Sequence, residues 1–304
     1  MMCLGTSLEI FRIGSERVNS SSLSKLNTTK GVVKGEVVNF GFEDDTLVFK
    51  AIPYANAALR DKRFMPTTPV NNWSSVKYAT TWPKACPQTV TSLYSRKPSQ
   101  GEQEDCLFLS VLLPEDCLRH PSGCPVMVWL HGGNFERGSM RESLSVAQSM
   151  LQQKIVVVTP QYRLGVLGFF KNSFIKGNAA LHYLMLVFEW MKQEIANFGG
   201  DINKITLAGI NSGAALAGLL ARIPAIADDI QSVILIEAPY GSGCWLDSDS
   251  GHVEQSTNQL AAEESLQCDM PSARDLTLCM QSKPIEIISN ASTNISQKVS
   301  DNVS

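Results

Sequence analysis

The chain has 304 residues, of which 44% are hydrophobic and 18% are charged, so it is long enough to bury a substantial core in one large domain or two smaller ones. Its net charge is -3 and its basic residues are scattered, which excludes the dense basic surface that is typical of nucleic-acid binding. The sequence contains no run of 18 apolar residues, so it predicts no membrane span.

The first half of the chain predicts a polar start followed by strands. Residues 1–30 contain no apolar run of the length that a signal peptide needs, and we expect them to form a disordered lead-in. Residues 31–55 alternate apolar and polar side chains around glycine and acidic turns, which predicts an antiparallel hairpin. Continuous apolar runs at residues 106–114, 125–133 and 154–163 have the length of strands that are buried on both faces.

Strands alternate with helices in the second half. Residues 184–199 have helical spacing and end at a glycine pair, where a left-handed cap forms easily. A strand at 204–209, a helix that ends at Pro224 and a strand at 232–239 follow. This alternation predicts an α/β fold with a mainly parallel central sheet, helices on both faces and an antiparallel hairpin at the N-terminal side.

Beyond Pro239 the strand pattern fades. Residues 255–283 have helical spacing with one apolar face, and residues 284–304 form a polar tail for which the sequence suggests no packing partner. The helical face is made of Leu260, Leu266, Leu276 and Met280.

The eight cysteines and the glycosylation sequons bear on the compartment. No cysteine pair has the C-x-x-C spacing, which argues against a cysteine metal site and a thioredoxin-like redox site. We expect neither a metal nor a cofactor. The cysteines and sequons favour an extracellular or secretory protein, whereas the absence of a visible signal peptide argues against it. The N-x-S/T sequons begin at Asn19, Asn27, Asn72, Asn290, Asn294 and Asn302.

One short stretch carries the strongest functional pattern. Residues 206–215 read TLAGINSGAA, an apolar run that turns through two glycines into an Ala/Leu-rich helix. This outline is typical of a nucleophile elbow, G-x-S-x-G, in which the central side chain stands exposed above the sheet edge. Upstream, WLHGGNF at 129–135 follows a buried strand and provides a glycine-rich loop whose N–H groups can complete an oxyanion hole.

These stretches, with several others, resemble the type-B carboxylesterase and cholinesterase family of α/β-hydrolases, which also includes neuroligin-like adhesion proteins. The resemblance covers residues 31–283. It rests on the elbow, the glycine-rich loop and the segments IPYA (52–55), RFMP (63–66), EDCLFLSV (104–111), YRLGVLGFF (162–170) and EWMKQEIANFGGD (189–201).

The resemblance implies two disulfides and a longer domain. Family members pair the cysteines that correspond to Cys86 with Cys106, and to Cys268 with Cys279. Cys117 and Cys124 are close enough in sequence to form an extra bridge, whereas Cys3 and Cys244 have no evident partner. The family domain continues well beyond the length of this chain. We therefore expect an incomplete domain at 31–283 whose last parallel strand is left with an exposed edge.

The chain departs from the family pattern at the elbow itself. Asn211 occupies the nucleophile position, and Ile210 replaces the acidic residue before it. Ser212 stands one residue later, about 100° further around the helix axis, so we expect its hydroxyl to point away from a catalytic base. Gly132, Gly133, Asn134 and the N–H of Ser212 would form the oxyanion hole, with Asn134 in place of a third glycine.

Other departures affect the groups behind and around the elbow. Tyr183 and Leu184 replace an Asp-Gln pair of the family, which removes a buried polar anchor. The resemblance places the catalytic acid and histidine well over a hundred residues after the nucleophile, and fewer than a hundred residues follow Asn211 here. His120, His131, His182 and His252 offer no substitute, and we expect Glu237 to be structural or merely polar.

The sequence therefore predicts a carboxylesterase-like protein that is catalytically inactive and acts through a binding or adhesion surface. Another protein, bound at the surface or at the exposed sheet edge, is the expected partner. The alternative is an active ester hydrolase, which uses Ser212 or belongs to a longer chain and binds a small ester. A third hypothesis is that Asn211 deamidates to Asp, the carboxylate nucleophile of some other α/β-hydrolases.

Overall fold

A computed structural model of the chain describes residues 17–42, 45–89, 98, 100–237 and 250–301. Within these residues nine strands form one sheet, and eight α-helices pack around it. The strands are β1 (Arg17–Asn27), β2 (Val32–Asn39), β3 (Thr46–Pro53), β4 (Lys77–Tyr78), β5 (Phe108–Pro114), β6 (Cys124–Leu130), β7 (Val156–Pro160), β8 (Gly200–Ile210) and β9 (Ser232–Ile236). The helices are α1 (Leu144–Leu151), α2 (Gly165–Phe169), α3 (Ala179–Glu194), α4 (Ser212–Leu220), α5 (Pro224–Ala227), α6 (Ser250–Ala261), α7 (Ala273–Ser282) and α8 (Ile285–Asp301).

The sheet is mixed. Its strand order is β1-β2-β3-β5-β7-β6-β8-β9, with the short β4 beside β2. Along this order, neighbouring strands are antiparallel from β1 through β2, β3 and β5 to β7, and they are parallel from β7 through β6 and β8 to β9. The short β4 pairs parallel with β2. The predicted hairpin at 31–55 is the antiparallel pair β2 and β3. The α/β fold is confirmed, and the parallel half of the sheet is the part built from alternating strands and helices.

Helices cover both faces of the sheet, as the continuous apolar runs predict. On β5, Leu109, Val111 and Leu113 are buried in the core that includes α3, whereas Leu112 is buried against α1 on the opposite face. Successive strand side chains point to opposite faces, so a strand between two helical layers buries both faces and is mostly apolar. The one polar side chain of β5, Ser110, is hydrogen-bonded to the hydroxyl of Thr159 on β7.

The expectation of a disordered lead-in at residues 1–30 is wrong for its second half. Residues 17–27 form β1, which pairs antiparallel with β2. After β1, the Thr29 N–H lies 3.0 Å from both carboxylate oxygens of Glu194, and the Thr29 hydroxyl also donates to that carboxylate. A polar segment is ordered here because its backbone groups pair with a neighbouring strand, which composition alone does not reveal.

The expectation of an unpartnered tail at residues 284–304 is also wrong. Residues 285–301 form α8, and its Ile288 and Ala291, three positions apart, are both buried. They join the cluster that holds the predicted apolar face, in which Leu260, Leu266, Leu276 and Met280 are all buried. The segment from α6 to α8 therefore forms a small helical core beside Phe64 and Phe170.

Three disulfides lie within the described residues. Two of them, Cys86–Cys106 and Cys268–Cys279, are the pairs that the resemblance implies. The third, Cys117–Cys124, closes a short loop before β6. Cys3 and Cys244 lie outside the described residues.

The last strand of the sheet order is exposed to an unusual degree. Among the described strands β9 pairs only with β8, and Val233, Ile234 and Ile236 are 39%, 41% and 37% exposed. In the part of the chain that the structure describes, no helix is long and apolar enough to cross a membrane.

Candidate functional site

The turn between β8 and α4 places Asn211 at its tip. Asn211 has φ 56° and ψ -125°, a conformation that non-glycine residues rarely adopt. Its N–H donates to the Ile236 carbonyl at 2.8 Å, and its own carbonyl accepts from Ala214 N at 3.0 Å and Ala215 N at 3.2 Å. Strand β9 and the first turn of α4 therefore hold the backbone of Asn211 from both sides.

The two glycines that flank Asn211 are required by close backbone contacts. A Cβ atom on Gly209 would lie 2.4 Å from the Gly213 carbonyl oxygen. A Cβ atom on Gly213 would lie 2.3 Å from the Leu130 carbonyl oxygen, at the end of β6. Neither distance leaves room for a side chain, so the glycines let the chain reverse sharply while α4 packs against the end of β6.

The loop after β6 meets the tip of this turn. Because β6 and β8 are adjacent and parallel, their carboxyl ends lie at the same edge of the sheet. The side-chain oxygen Oδ1 of Asn211 accepts a hydrogen bond from Asn134 N at 3.1 Å and a longer one from Gly133 N at 3.4 Å. Asn134 has φ 56°, a left-handed value that asparagine tolerates better than most residues. Two N–H groups that converge on one oxygen are the arrangement that stabilises an oxyanion in acyl transfer.

Gly132 allows this loop to approach the turn. A Cβ atom on Gly132 would lie 2.7 Å from the Ile210 carbonyl oxygen and 3.0 Å from the Cβ atom of Asn211. Gly132, Gly133 and Asn134, three of the four residues predicted for the oxyanion hole, therefore lie around the tip residue Asn211. The fourth predicted residue, Ser212, follows Asn211 in the chain.

Ser212 is adjacent in sequence and differs in environment. Its side chain is fully buried, whereas Asn211 is partly exposed. The Ser212 hydroxyl lies beside the phenol of Tyr162 but makes no hydrogen bond of normal geometry. It therefore faces the interior beneath the turn.

Tyr162 and His131 support the loop from below. The Tyr162 hydroxyl donates to the His131 carbonyl at 2.6 Å, and the two rings are stacked at 4.5 Å. His131 Nδ1 lies 2.9 Å from the Gly132 carbonyl, so this nitrogen carries the proton of the neutral ring. Burial lowers the pKa of His131 to about 4, and burial also raises the pKa of Tyr162. Both groups are neutral at pH 7.

The other predicted residues lie elsewhere. His120, His182 and His252 have exposed side chains. Glu237 is exposed, has φ 61° and follows Ile236, whose carbonyl accepts from Asn211. The described residues contain no group of three or more His, Cys, Asp or Glu side chains that could hold a metal ion.

Behind the site Arg163 is fully buried. Its Nη2 donates to the Glu104 carbonyl at 3.2 Å, whereas Nε and Nη1 have no hydrogen-bond partner of normal geometry. Tyr183, predicted to replace a family Asp, lies with its ring centre 6.0 Å from the guanidinium carbon and donates its hydroxyl to the Met65 carbonyl at 3.0 Å. The neighbouring Arg63 forms a bidentate ion pair with the Glu104 carboxylate, in which Nε donates to Oε1 at 2.6 Å and Nη2 donates to Oε2 at 2.8 Å.

Two contributors to the site were not identified from the sequence. Tyr162 supports the loop, and the Ile236 carbonyl anchors Asn211. The position of YRLGVLGFF directly after β7 was a usable signal for Tyr162, since residues at the carboxyl ends of parallel strands gather at one sheet edge. No sequence signal pointed to Ile236.

A mixed sheet with helices on both faces, and a sharp turn from strand to helix beneath a glycine-rich loop, defines an α/β-hydrolase. The sequence profile of the carboxylesterase family matches residues 22–304, and the chain belongs to that family.

Mammalian carboxylesterases are among its relatives. Carboxylesterase 1C of Rattus norvegicus is 36% identical over 216 residues, which is 67% of this chain and 39% of that protein. Carboxylesterase 1C of Mus musculus is 32% identical over 271 residues, which is 85% of this chain and 48% of the relative. Carboxylesterase 1D of Mus musculus is 36% identical over 217 residues, which is 67% of this chain and 38% of the relative. The chain thus spans less than half of the length of these relatives.

Proposed function

We infer that this chain is a carboxylesterase-like protein that does not hydrolyse esters. The observation that carries this conclusion is the position of Asn211 Oδ1, which accepts hydrogen bonds from Gly133 N and Asn134 N. In a working elbow those donors await the oxygen of the substrate as it becomes negatively charged. Here a side chain of the protein itself fills that place.

The chemistry of the tip residue supports the same conclusion. A carboxamide cannot be activated by a neighbouring base to attack a carbonyl carbon as a serine hydroxyl is. Loss of the nucleophile from a serine enzyme lowers kcat on the order of 10⁶-fold, and the remaining oxyanion assistance does not make a useful esterase. The protein therefore lacks both the attacking group and an accessible oxyanion hole.

An active ester hydrolase is the alternative, and Ser212 would have to be its nucleophile. The complete burial of Ser212 and the contact of its hydroxyl with Tyr162 oppose this role. An ester bound above the turn would meet the carboxamide of Asn211 before the hydroxyl of Ser212, since Asn211 is partly exposed and Ser212 is buried.

We also propose a binding surface. The edge strand β9, with its exposed Val233, Ile234 and Ile236, is the surface that we assign to a partner, another polypeptide that adds an extended strand to the sheet.

Covalent features support our assignment of the protein to a compartment. The three disulfides and the carboxylesterase relatives are consistent with the secretory pathway or the extracellular space. The asparagine side chains at the sequons Asn27, Asn72, Asn290 and Asn294 are exposed, as N-linked glycans would require.

A fluorophosphonate probe tests the inactive assignment. We expect neither the purified protein nor its Ser212→Ala variant to be labelled or to turn over a short-chain nitrophenyl ester, while a mammalian carboxylesterase assayed in parallel does both. Stoichiometric labelling of the purified protein that disappears in Ser212→Ala would show instead that Ser212 is a nucleophile and that the protein is a hydrolase.

A further inference from the structure

The backbone at Asn211 brings its side chain close to the next main-chain nitrogen. In an L-residue the Cα–Cβ and Cα–N bonds are about 120° apart when viewed along Cα–C. A ψ of -125° therefore turns the Cα–Cβ bond of Asn211 until it nearly eclipses the bond from its carbonyl carbon to the nitrogen of Ser212. The nitrogen, the carbonyl carbon, Cα and Cβ then lie almost in one plane, and rotation about Cα–Cβ brings Cγ towards that nitrogen.

This arrangement matches a five-membered ring. Four of the five atoms of a succinimide already have the planarity of the ring, whereas an ordinary strand or helix must distort its backbone to reach it. Ser212 is the first residue of α4, and the first N–H groups of a helix have no carbonyl partner within that helix. Cyclisation at this position therefore breaks no i to i−4 hydrogen bond.

The loop donors favour the same reaction. The N–H groups of Asn134 and Gly133 that hold Oδ1 polarise the carboxamide, and they are placed to stabilise negative charge on Oδ1 when Cγ becomes tetrahedral. The N–H groups of the loop are thus directed at the side chain of Asn211.

We propose that Asn211 is a site of self-modification, at which the folded protein converts Asn211 and Ser212 to a succinimide. The main-chain nitrogen of Ser212 loses its proton and forms a bond to Cγ of Asn211. The Cγ–Nδ2 bond then breaks, and Nδ2 leaves as ammonia with that proton. Water subsequently opens the ring at either carbonyl and produces aspartate or isoaspartate.

The products change the site. Either product replaces a neutral carboxamide with a carboxylate at the N-terminal end of α4, where negative charge is favoured. Isoaspartate also inserts one methylene group into the main chain between β8 and α4. The chain would then exist in two forms that differ in charge at the tip of the turn.

The chain contains three Asn-Ser steps, which begin at Asn19, Asn172 and Asn211, and the step at Asn172 provides a matched internal control. Asn172 precedes Ser173 and does not have a positive φ. Its Oδ1 accepts from Phe174 N at 3.0 Å and Ile175 N at 2.8 Å, and its Nδ2 donates to the Ala273 carbonyl and to Thr277 Oγ1. These hydrogen bonds hold the Asn172 carboxamide at both its oxygen and its nitrogen, so Asn172 has the same dipeptide as Asn211 with a side chain that is held by different partners.

Peptide mass mapping of the whole purified chain tests the proposal. During incubation at mildly alkaline pH, we expect the peptide that contains Asn211 to lose one ammonia on the order of tenfold faster than the peptide that contains Asn172. Hydroxylamine should trap the ring, and hydrolysis in ¹⁸O-water should place one labelled oxygen in the product. In the urea-unfolded chain both steps should react at similar rates.

Two variants and two outcomes make the test decisive. Asn211→Gln, which would need a six-membered ring, should lose no ammonia, whereas Ser212→Ala should still cyclise because it keeps the main-chain nitrogen. An Asn211 that stays intact in the folded protein and reacts only when unfolded would overturn the proposal. Direct hydrolysis to aspartate, with no trappable ring and no isoaspartate, would overturn it as well.

Discussion

The main-chain nitrogen of Asn134 lies 3.1 Å from the side-chain oxygen of Asn211, although 77 residues separate them in the sequence. This contact joins the loop after β6 to the turn after β8, two elements that meet because their strands are adjacent and parallel. A single side chain thus occupies the point on which the N–H groups of the loop converge. The contact is made by a residue whose backbone has an unusual conformation.

Replacement of Asn211 by glycine and by alanine should separate backbone strain from lost hydrogen bonds. Both variants lose the contacts of Oδ1, but only glycine adopts φ 56° and ψ -125° without strain. We expect Asn211→Gly to be more stable than Asn211→Ala by about 1 kcal/mol, measured by urea unfolding. Equal unfolding midpoints would show that the turn relaxes to an ordinary conformation.

The buried His131 predicts a loss of stability in mild acid. Its pKa is lowered to about 4 in the folded state, from about 6.5 in the unfolded chain, so between these values the unfolded chain binds more protons. Stability from this group is present above pH 6.5 and is lost as the pH falls towards 4. We expect His131 to account for about 2 kcal/mol of the decrease between pH 7 and pH 5.

The control for this prediction is His131→Phe, which keeps a ring against Tyr162 and cannot be protonated. Urea unfolding at several pH values should show a shallower decrease for the variant than for the unmodified chain. Parallel curves would mean that other groups cause the acid sensitivity.

The carboxylate of Glu194 should stabilise the first strand. It is completely buried and accepts hydrogen bonds from the N–H and the hydroxyl of Thr29 and from the side chain of Asn197. Glu194→Gln presents an N–H group to these donors, so we expect it to lower the free energy of unfolding by about 2 kcal/mol. In this variant we also expect faster amide hydrogen exchange at Lys25 and Leu26, which lie in the adjoining part of β1.

Glu189→Gln is the matched control, because Glu189 lies on the same helix with an exposed side chain. That change should alter the free energy of unfolding by less than about 0.5 kcal/mol. If the two variants unfolded at the same urea concentration, the contact between Thr29 and Glu194 would have no part in stability.

The edge strand β9 should govern association. The double substitution Ile234→Lys and Ile236→Lys places charge on an apolar edge, a change that blocks strand addition. We expect this variant to associate much less, either with itself or with a strand-donating partner. Analytical ultracentrifugation measures the association. Leu278→Lys, at an apolar position on α7 that is 51% exposed, should leave association unchanged. A similar decrease in both variants would indicate nonspecific hydrophobic association.

Tertiary pairing, rather than local composition, explains where the sequence predictions were wrong. Residues 17–30 and 285–301 are polar, and on composition alone they cannot bury enough apolar surface to be ordered. The first is ordered by the edge of β2 and by Glu194, which follows Thr29 by 165 residues. The second packs the buried Ile288 and Ala291 and the partly buried Ile285 and Ile287 against a core that the rest of the chain already forms.

Local pattern was sufficient for much of the fold and for part of the site. The apolar runs at 106–114 and 125–133 predict buried strands because a strand between two helical layers is apolar on both faces. Gly209 and Gly213 predict the sharp turn because only glycine tolerates such close backbone contacts. The sequence by itself therefore determined the α/β architecture, the turn and the residue at its tip.

Only the tertiary structure decided what that residue does. The direction of the Asn211 carboxamide depends on N–H groups of a distant loop, on the Ile236 carbonyl and on the support that Tyr162 provides beneath His131. These partners come from separate strands, and their distances are set by the packing of the whole sheet. Residue types and spacing carry no such information, because hydrogen bonds depend on distances and angles that are fixed only when the strands are assembled.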